Sequence, residues 1–315
     1  MPLKIIFCGT PSFAVPALKH LIAEPDFRLL GVVTQPDRPR GRGGAISFSP
    51  VKEAAAEAGI PVYQPAKIKT PEAMNYFREL APDVVVIIAY GQIISAALIE
   101  IPRFGWINLH GSLLPKYRGA APIHWAIANG EKITGVTTMQ IDAGLDTGPM
   151  LLKYETAIGP DETSPQLMSR LAQAGAPLIA ETLRKLDAGE LIAQAQDDAE
   201  ATFAPILKKA DGRIQWSQSA QTIYNRMRAF QPWPGAFSMF RDKNCQLWGK
   251  PAVNLSGAIE GTAPGSIFSY DKLIGVACGE QSALQLEFVQ MEGRKRVTAQ
   301  EFANGARLTP GEYFV

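Results

Sequence analysis

Cysteine is scarce. Three residues, Cys8, Cys245 and Cys278, lie far apart in a chain of 315, with no C-x-x-C pair. That pattern excludes a disulfide framework and a structural zinc site, and it fits a reducing compartment. Histidine is equally scarce, with His20, His110 and His124 the whole set. With the carboxylates scattered, no ligand cluster emerges, and no metal is implied. Long apolar runs are missing too: the longest, residues 84–90, falls far short of the roughly 20 needed to cross a membrane. Residues 1–7 show no cationic stretch leading into a cleavable apolar one. A cytoplasmic protein without a membrane partner is expected. The first predicted strand runs into Cys8-Gly9-Thr10-Pro11-Ser12, not G-x-G-x-x-G. An NAD-dependent dehydrogenase is disfavoured for want of that fingerprint.

What is present describes a folded enzyme-sized protein. A hydrophobic content of 46% with 19% charged residues rules out disorder, collagen and coiled coil. The length corresponds to about two domains. In the first half, short apolar runs (residues 4–9, 27–34, 83–89, 105–110 and 134–141) alternate with helical patterns (13–22, 51–58, 71–80 and 121–129). This β-α-β rhythm predicts an α/β domain with a doubly wound parallel sheet, whose ligands bind beyond the carboxyl ends of its strands. Val84-Val85-Val86-Ile87-Ile88 is apolar on both faces, as a central strand should be. Residues 163–186 predict a long helix that Pro177 should bend.

The texture then changes. Residues 187–204 are polar and acidic. Beyond them, short strands (246–248, 267–269, 273–277 and 284–291) are separated by glycine, proline and asparagine, and Thr298 to Glu301 has capping-box form. A smaller β-barrel follows from this pattern. The expected organisation is a domain over 1–189, a linker over 190–207 and a second domain over 208–315.

Net charge is +1, yet residues 208–315 carry 13 Lys and Arg against 9 Asp and Glu. Such an excess suits a polyanionic partner, although a solvated face explains it equally well. Lys208, Lys209, Arg213, Arg226 and Arg228 are the candidates to follow a nucleic-acid backbone. A second basic feature, Arg38, Arg40 and Arg42 among prolines and glycines, predicts an exposed loop whose guanidinium forks match phosphate.

The candidate chemistry lies in Asn108-Leu109-His110-Gly111-Ser112-Leu113-Leu114-Pro115. Strand alternation puts Asn108 and His110 on one face at the carboxyl end of a strand. A lone histidine there is usually structural; an amide two residues before it and a loop directly after favour catalysis. Downstream, Asp142-Ala143-Gly144-Leu145-Asp146-Thr147-Gly148 forms a tight loop in which Asp142 reads as a turn stabiliser. Asp146 is free to orient His110.

Asn108, His110, Ser112-Leu113-Leu114-Pro115 and Asp146 together resemble the signature of the 10-formyltetrahydrofolate-dependent formyltransferases. Gln35-Pro36-Asp37-Arg38-Pro39-Arg40-Gly41-Arg42-Gly43, Ser49-Pro50-Val51-Lys52 and Phe230-Gln231-Pro232-Trp233-Pro234 are similar to the branch that acts on methionyl-tRNA. The resemblance implies a formyltransferase catalytic domain followed by an OB-like barrel that binds tRNA. It implies transfer of formyl from 10-formyltetrahydrofolate to the α-amino group of initiator methionyl-tRNA; separately, a monomer is expected. Asn108, His110 and Asp146 would be catalytic, and Ser112, Leu113, Leu114 and Pro115 would contact the folate. Arg38, Arg40, Arg42, Lys208, Lys209 and Arg213 would contact tRNA. The alternatives are transfer to an amino sugar or another small amine, and a non-catalytic RNA-binding protein on the same fold.

Overall fold

The computed structural model describes residues 1–40, 45–253, 259–271 and 273–315. The chain divides into two units. The first comprises Met1–Pro122, Ile133–Ala157 and Gln166–Pro205; the second comprises Ile123–Lys132, Ile158–Pro165 and Ile206–Val315. The segment expected to be a linker, 190–207, therefore belongs to the first unit as far as Pro205, and two short stretches before 189 belong to the second.

In chain order the elements begin β1 (Leu3–Gly9), α1 (Val15–Ala23), β2 (Phe27–Val33), β3 (Arg38–Arg40), β4 (Ala45–Ser47), α2 (Pro50–Glu57), β5 (Val62–Tyr63), α3 (Pro71–Leu80) and β6 (Val84–Ile88). They continue α4 (Ala96–Ile99), β7 (Trp106–His110), α5 (Pro122–Ala128), β8 (Ile133–Gln140), β9 (Met150–Ala157) and α6 (Ser164–Asp187). Helix starts follow local chemistry: the Ser49 and Thr70 hydroxyls accept from the Lys52 and Ala73 amides, and each is followed by proline. Such caps contribute about 1 kcal/mol apiece. Helix α6 runs continuously through Pro177.

The first unit is built on a seven-stranded sheet in the order β5-β2-β1-β6-β7-β8-β9. Its first five strands are parallel, with β6 central and every residue of it buried. Only β8 is reversed, lying antiparallel to both β7 and β9. Residues 141–149 thus join an antiparallel pair. Strand order reverses between β1 and β6, which makes their carboxyl ends the switch point where an open α/β sheet binds ligands. Ile6, Val33, Phe77, Val85, Leu98 and Trp106 pack into one core cluster on this sheet.

The second unit holds α7 (Ala220–Ala229) and the antiparallel strands β10 (Phe237–Phe240), β11 (Lys243–Pro251), β12 (Ile267–Tyr270), β13 (Leu273–Cys278), β14 (Ser282–Met291) and β15 (Val297–Thr298), ending in α8 (Ala299–Ala306). Their order is β10-β11-β14-β13-β12, with β15 on β14. The last residues join the two edges. Ile267 donates to the Glu312 carbonyl, Phe314 donates to Gly265, and Met239 and Val315 exchange backbone hydrogen bonds. The tail completes a small barrel over a core that includes Trp216, Phe240, Leu284, Phe302 and Phe314, covering edges that would otherwise offer unpaired amides. α7 and β10 lie outside the expected elements, although Ser219 caps α7 by accepting from the Thr222 amide.

Candidate active site

Strand β7 ends at His110, and its register pairs His110 with Thr137 and Asn108 with Met139 on β8. The His110 ring is 5% exposed. Its Nε2 lies 2.9 Å from the Tyr117 carbonyl oxygen; a carbonyl only accepts, so Nε2 carries the hydrogen. Nδ1 faces the Asp146 carboxylate at 3.7 Å, beyond hydrogen-bond range. The same carboxylate oxygen accepts from the Gly119 amide at 2.8 Å.

Both partners of the ring are held in an uncommon backbone conformation. Tyr117 has φ of 61° and Asp146 of 54°. A left-handed conformation costs a non-glycine residue about 1–3 kcal/mol and marks sites where geometry is over-determined by its surroundings. Asp142 behaves as a turn stabiliser, accepting from the Gly144 amide at 3.0 Å and the Thr147 hydroxyl at 2.7 Å. Asn108 is only partly buried, and its amide has no side-chain hydrogen bond among the described residues. Imidazole and carboxylate are thus anchored to the protein while the neighbouring amide is uncommitted. That combination suits stabilising charge on a substrate oxygen beside a site of proton exchange.

At the switch point, past the carboxyl ends of β1, β2 and β6, a cavity of about 500 Å3 opens. Thr10 and Pro11 after β1, Gln35 and Pro36 after β2, and Tyr90 and Gly91 after β6 line it, together with Arg38 and Phe48. Gln35 Nε2 donates to the Tyr90 carbonyl at 3.1 Å, fixing one wall. No group of three or more His, Cys, Asp or Glu among the described residues is placed to hold a metal ion.

The Formyl transferase family matches residues 3–183, and the Formyl transferase, C-terminal domain family matches residues 206–307. Methionyl-tRNA formyltransferases of Solibacter usitatus and Geobacter metallireducens are 50% and 51% identical over 310 residues, spanning 98% of this chain and 98% and 97% of theirs. The chain belongs to the methionyl-tRNA formyltransferase family. Among solved structures, the sugar 3N-formyl transferase WlaRD superposes with a TM-score of 0.67 at 16% identity, over 94% of this chain and all of its own. HypX from Aquifex aeolicus in complex with tetrahydrofolic acid gives 0.62 at 14%, over 100% of this chain and 51% of its own. At such identities the likeness is one of fold.

In this formyltransferase the loop after β7 is largely buried. Ser112, Leu114 and Pro115 are buried and only Leu113 is half-exposed. The Ser112 hydroxyl donates to the Lys116 carbonyl at 2.6 Å, and Leu114 packs with Met139 and Met150. The side chains of Ser112, Leu114 and Pro115 shape the loop from within, which leaves the half-exposed Leu113 and the loop backbone as the surface open to a folate. Lys153 Nζ, which carries no sequence signal, donates to the Leu114 carbonyl at 2.7 Å.

Arg38 is exposed at the start of β3, Arg40 ends that strand, and Arg42 lies outside the described residues. Next to β3, Asp37 accepts from Lys52 Nζ and, at 2.9 Å, from Gln64 Nε2. These bonds, that of Lys52 foremost, hold its carboxyl below the ordinary value of 3.8. In the second unit Lys208, Lys209 and Arg213 are exposed. Arg228, expected to meet a nucleic-acid backbone, is 5% exposed. Its guanidinium donates to the Gly159 and Glu162 carbonyls and to Asn225 Oδ1. Arg226 lies over the Trp125 and Phe230 rings and donates to the Asp211 carbonyl. Arg228 is structural because its buried guanidinium is engaged within the protein, whereas Arg226 stays half-exposed. Tyr117 is the site residue that sequence reasoning missed; its φ has no signature in a side chain that ordinarily avoids that region.

Proposed function

We propose that this enzyme transfers the formyl group of 10-formyltetrahydrofolate to the α-amino group of initiator methionyl-tRNA, with residues 1–189 as the catalytic part and 208–315 as a tRNA-binding part. The observation that carries the chemistry is Asn108: an uncommitted amide on the same strand end as an imidazole held between the Tyr117 carbonyl and the Asp146 carboxylate. The choice of acceptor rests on likeness to the methionyl-tRNA formyltransferases along nearly the whole chain.

The acceptor needs little activation, because an α-amino group titrates near about 8 and is partly neutral at physiological pH. Asn108 Nδ2 donates to the formyl oxygen and stabilises the negative charge that develops there as the amine attacks. His110 Nε2 is occupied by Tyr117, so Nδ1 is the atom at which the ring takes the proton that the attacking nitrogen sheds. Asp146 stabilises the imidazolium so formed. The folate supplies the formyl group, and its nitrogen leaves with a proton, which His110 returns. Bond-making and bond-breaking balance, with no net proton gained by the protein.

The switch-point cavity suits the acceptor end of tRNA, with Arg38 for phosphate and the half-exposed Phe48 ring for stacking on a base. Lys208, Lys209 and Arg213 would meet phosphates farther along the RNA. The test is an acceptor panel: purified enzyme and formyl donor with methionyl-tRNA, free methionine or a nucleotide-linked amino sugar. Product on methionyl-tRNA alone supports the reading; product on the amino sugar alone overturns it.

A further inference from the structure

Residues 190–205 have almost no regular structure, one short 3-10 turn at Asp198–Glu200 apart. They are nonetheless pinned along their length. Gln194 and Met150 exchange backbone hydrogen bonds of 2.8 Å. The Gln196 side chain donates to the carbonyls of Asp146 and Gly148, each at 2.8 Å. The Thr202 hydroxyl accepts from the Tyr117 amide at 2.9 Å. Arg118 donates its amide to the Thr202 carbonyl at 2.8 Å and accepts from Ala204 at 2.7 Å. A Cβ on Gly119 would come within 2.8 Å of the Ala204 carbonyl oxygen, so only glycine lets the two strands of chain approach this closely.

The segment bears on two particular residues. Tyr117 and Asp146 are the left-handed pair that flank the His110 ring, and the segment meets each with a side chain. Between them sits Arg118, 4% exposed. Its Nε donates to Gln196 Oε1 at 3.0 Å and its terminal nitrogen to Asp198 Oδ1 at 2.8 Å. Because the guanidinium only donates, it fixes the Gln196 amide with oxygen toward Arg118 and nitrogen toward Asp146. A strained conformation persists only where its surroundings over-determine it, and here one segment of chain holds both strained residues.

We propose that residues 194–204 form a strap whose Gln196 and Thr202 are positioning residues for formyl transfer, with Arg118 orienting Gln196. Gln196 holds the Asp146 backbone so that its carboxylate faces Nδ1. Thr202 holds Tyr117 so that its carbonyl takes the Nε2 hydrogen. Neither touches substrate, and the inference rests on the reading of His110 and Asp146 as the proton-exchanging pair.

The test uses the full-length enzyme with saturating folate donor and methionyl-tRNA. Gln196→Ala and Thr202→Val should each lower kcat between about 10- and 100-fold, as displacement of a reacting group does. KM for both substrates should stay within about twofold, and the pH profile of kcat should shift because the surroundings of Nδ1 change. Thr202→Ser keeps the hydroxyl and should restore most of the rate that Thr202→Val loses. The serine–valine comparison is informative even if Gln196→Ala folds poorly. Unchanged kcat and pH profile in both Gln196→Ala and Thr202→Val, beside an inactive His110→Ala enzyme, would overturn the strap's role alone. A fully active His110→Ala enzyme would instead remove the reading of the site, and the strap proposal with it.

Discussion

Asn108 and His110 stand two residues apart on β7, and their side chains differ in commitment. The imidazole is bonded to the Tyr117 carbonyl and faces Asp146, whereas the amide has no side-chain partner among the described residues. A strand end holding one anchored and one free polar group is arranged for a ligand to complete it. The anchored pair should act as a unit. His110→Ala and Asp146→Ala should each lower turnover between about 10²- and 10³-fold, with methionyl-tRNA affinity little altered. The double variant should lose little beyond the worse single one. Independent, additive losses would show that Asp146 does not work through His110.

A second expectation concerns the loop after β7. Leu114 is 1% exposed and packs on Met139 and Met150. Leu114→Asp would bury an unpaired carboxylate and should destabilise the first unit by several kcal/mol, about 3 or more. Leu113→Ala should leave stability nearly intact and act on the KM for folate. Denaturant unfolding beside donor kinetics separates the two; a Leu114→Asp enzyme of normal stability with a raised folate KM would restore Leu114 to the folate surface.

The basic residues of the second unit should divide in the same way. Arg228→Met removes the guanidinium donor from the Gly159 and Glu162 carbonyls and one of the donors to Asn225 Oδ1 and should cost about 2–3 kcal/mol of stability. The salt dependence of tRNA binding should not change. Lys208→Ala with Lys209→Ala should spare stability and flatten the slope of log K against log salt by about 0.7–0.9 for each phosphate no longer neutralised. Filter binding across a salt series reads this directly, and an unaltered slope would leave both lysines as solvated surface.

Much of this architecture is written in local patterns. Val84 to Ile88 announces a central strand because burial on both faces requires five apolar residues in a row, and Ser49 and Thr70 mark helix starts because an orphan amide needs an acceptor. Asn108 and His110 are legible because strand alternation puts them on one face. The antiparallel course of β8 against β7 and β9 is not, since alternation is the same in either direction. The burial of Leu114 and Arg228 also escapes the sequence: a loop leucine and a helical arginine look alike whether they face solvent or a core. The strap is the hardest case. Gln196 and Thr202 sit in a polar segment that reads as a linker, and their importance comes from backbone groups about 50 and 85 residues away.

Asp37 offers a pH-dependent handle on the loop beside the site. Its carboxyl is held below 3.8 by Lys52 and then Gln64. The anchoring is therefore fully present above the unfolded value and is lost only as pH falls through the lower folded one. Between pH 6 and 8 it should not vary. Carboxyl-carbon NMR should place the Asp37 midpoint below 3.8, and Lys52→Met should move it upward. A midpoint unchanged in Lys52→Met would dismiss Lys52 as its cause.

The most direct measurement is the single-turnover formylation rate of Asn108→Ala with enzyme in excess over methionyl-tRNA. The amide is assigned one task, to stabilise charge on the formyl oxygen, so the rate should fall between about 10²- and 10³-fold while affinities for methionyl-tRNA and donor stay near those of the unaltered enzyme. A single-turnover rate equal to that of the unaltered enzyme would contradict the assignment and place the chemistry elsewhere.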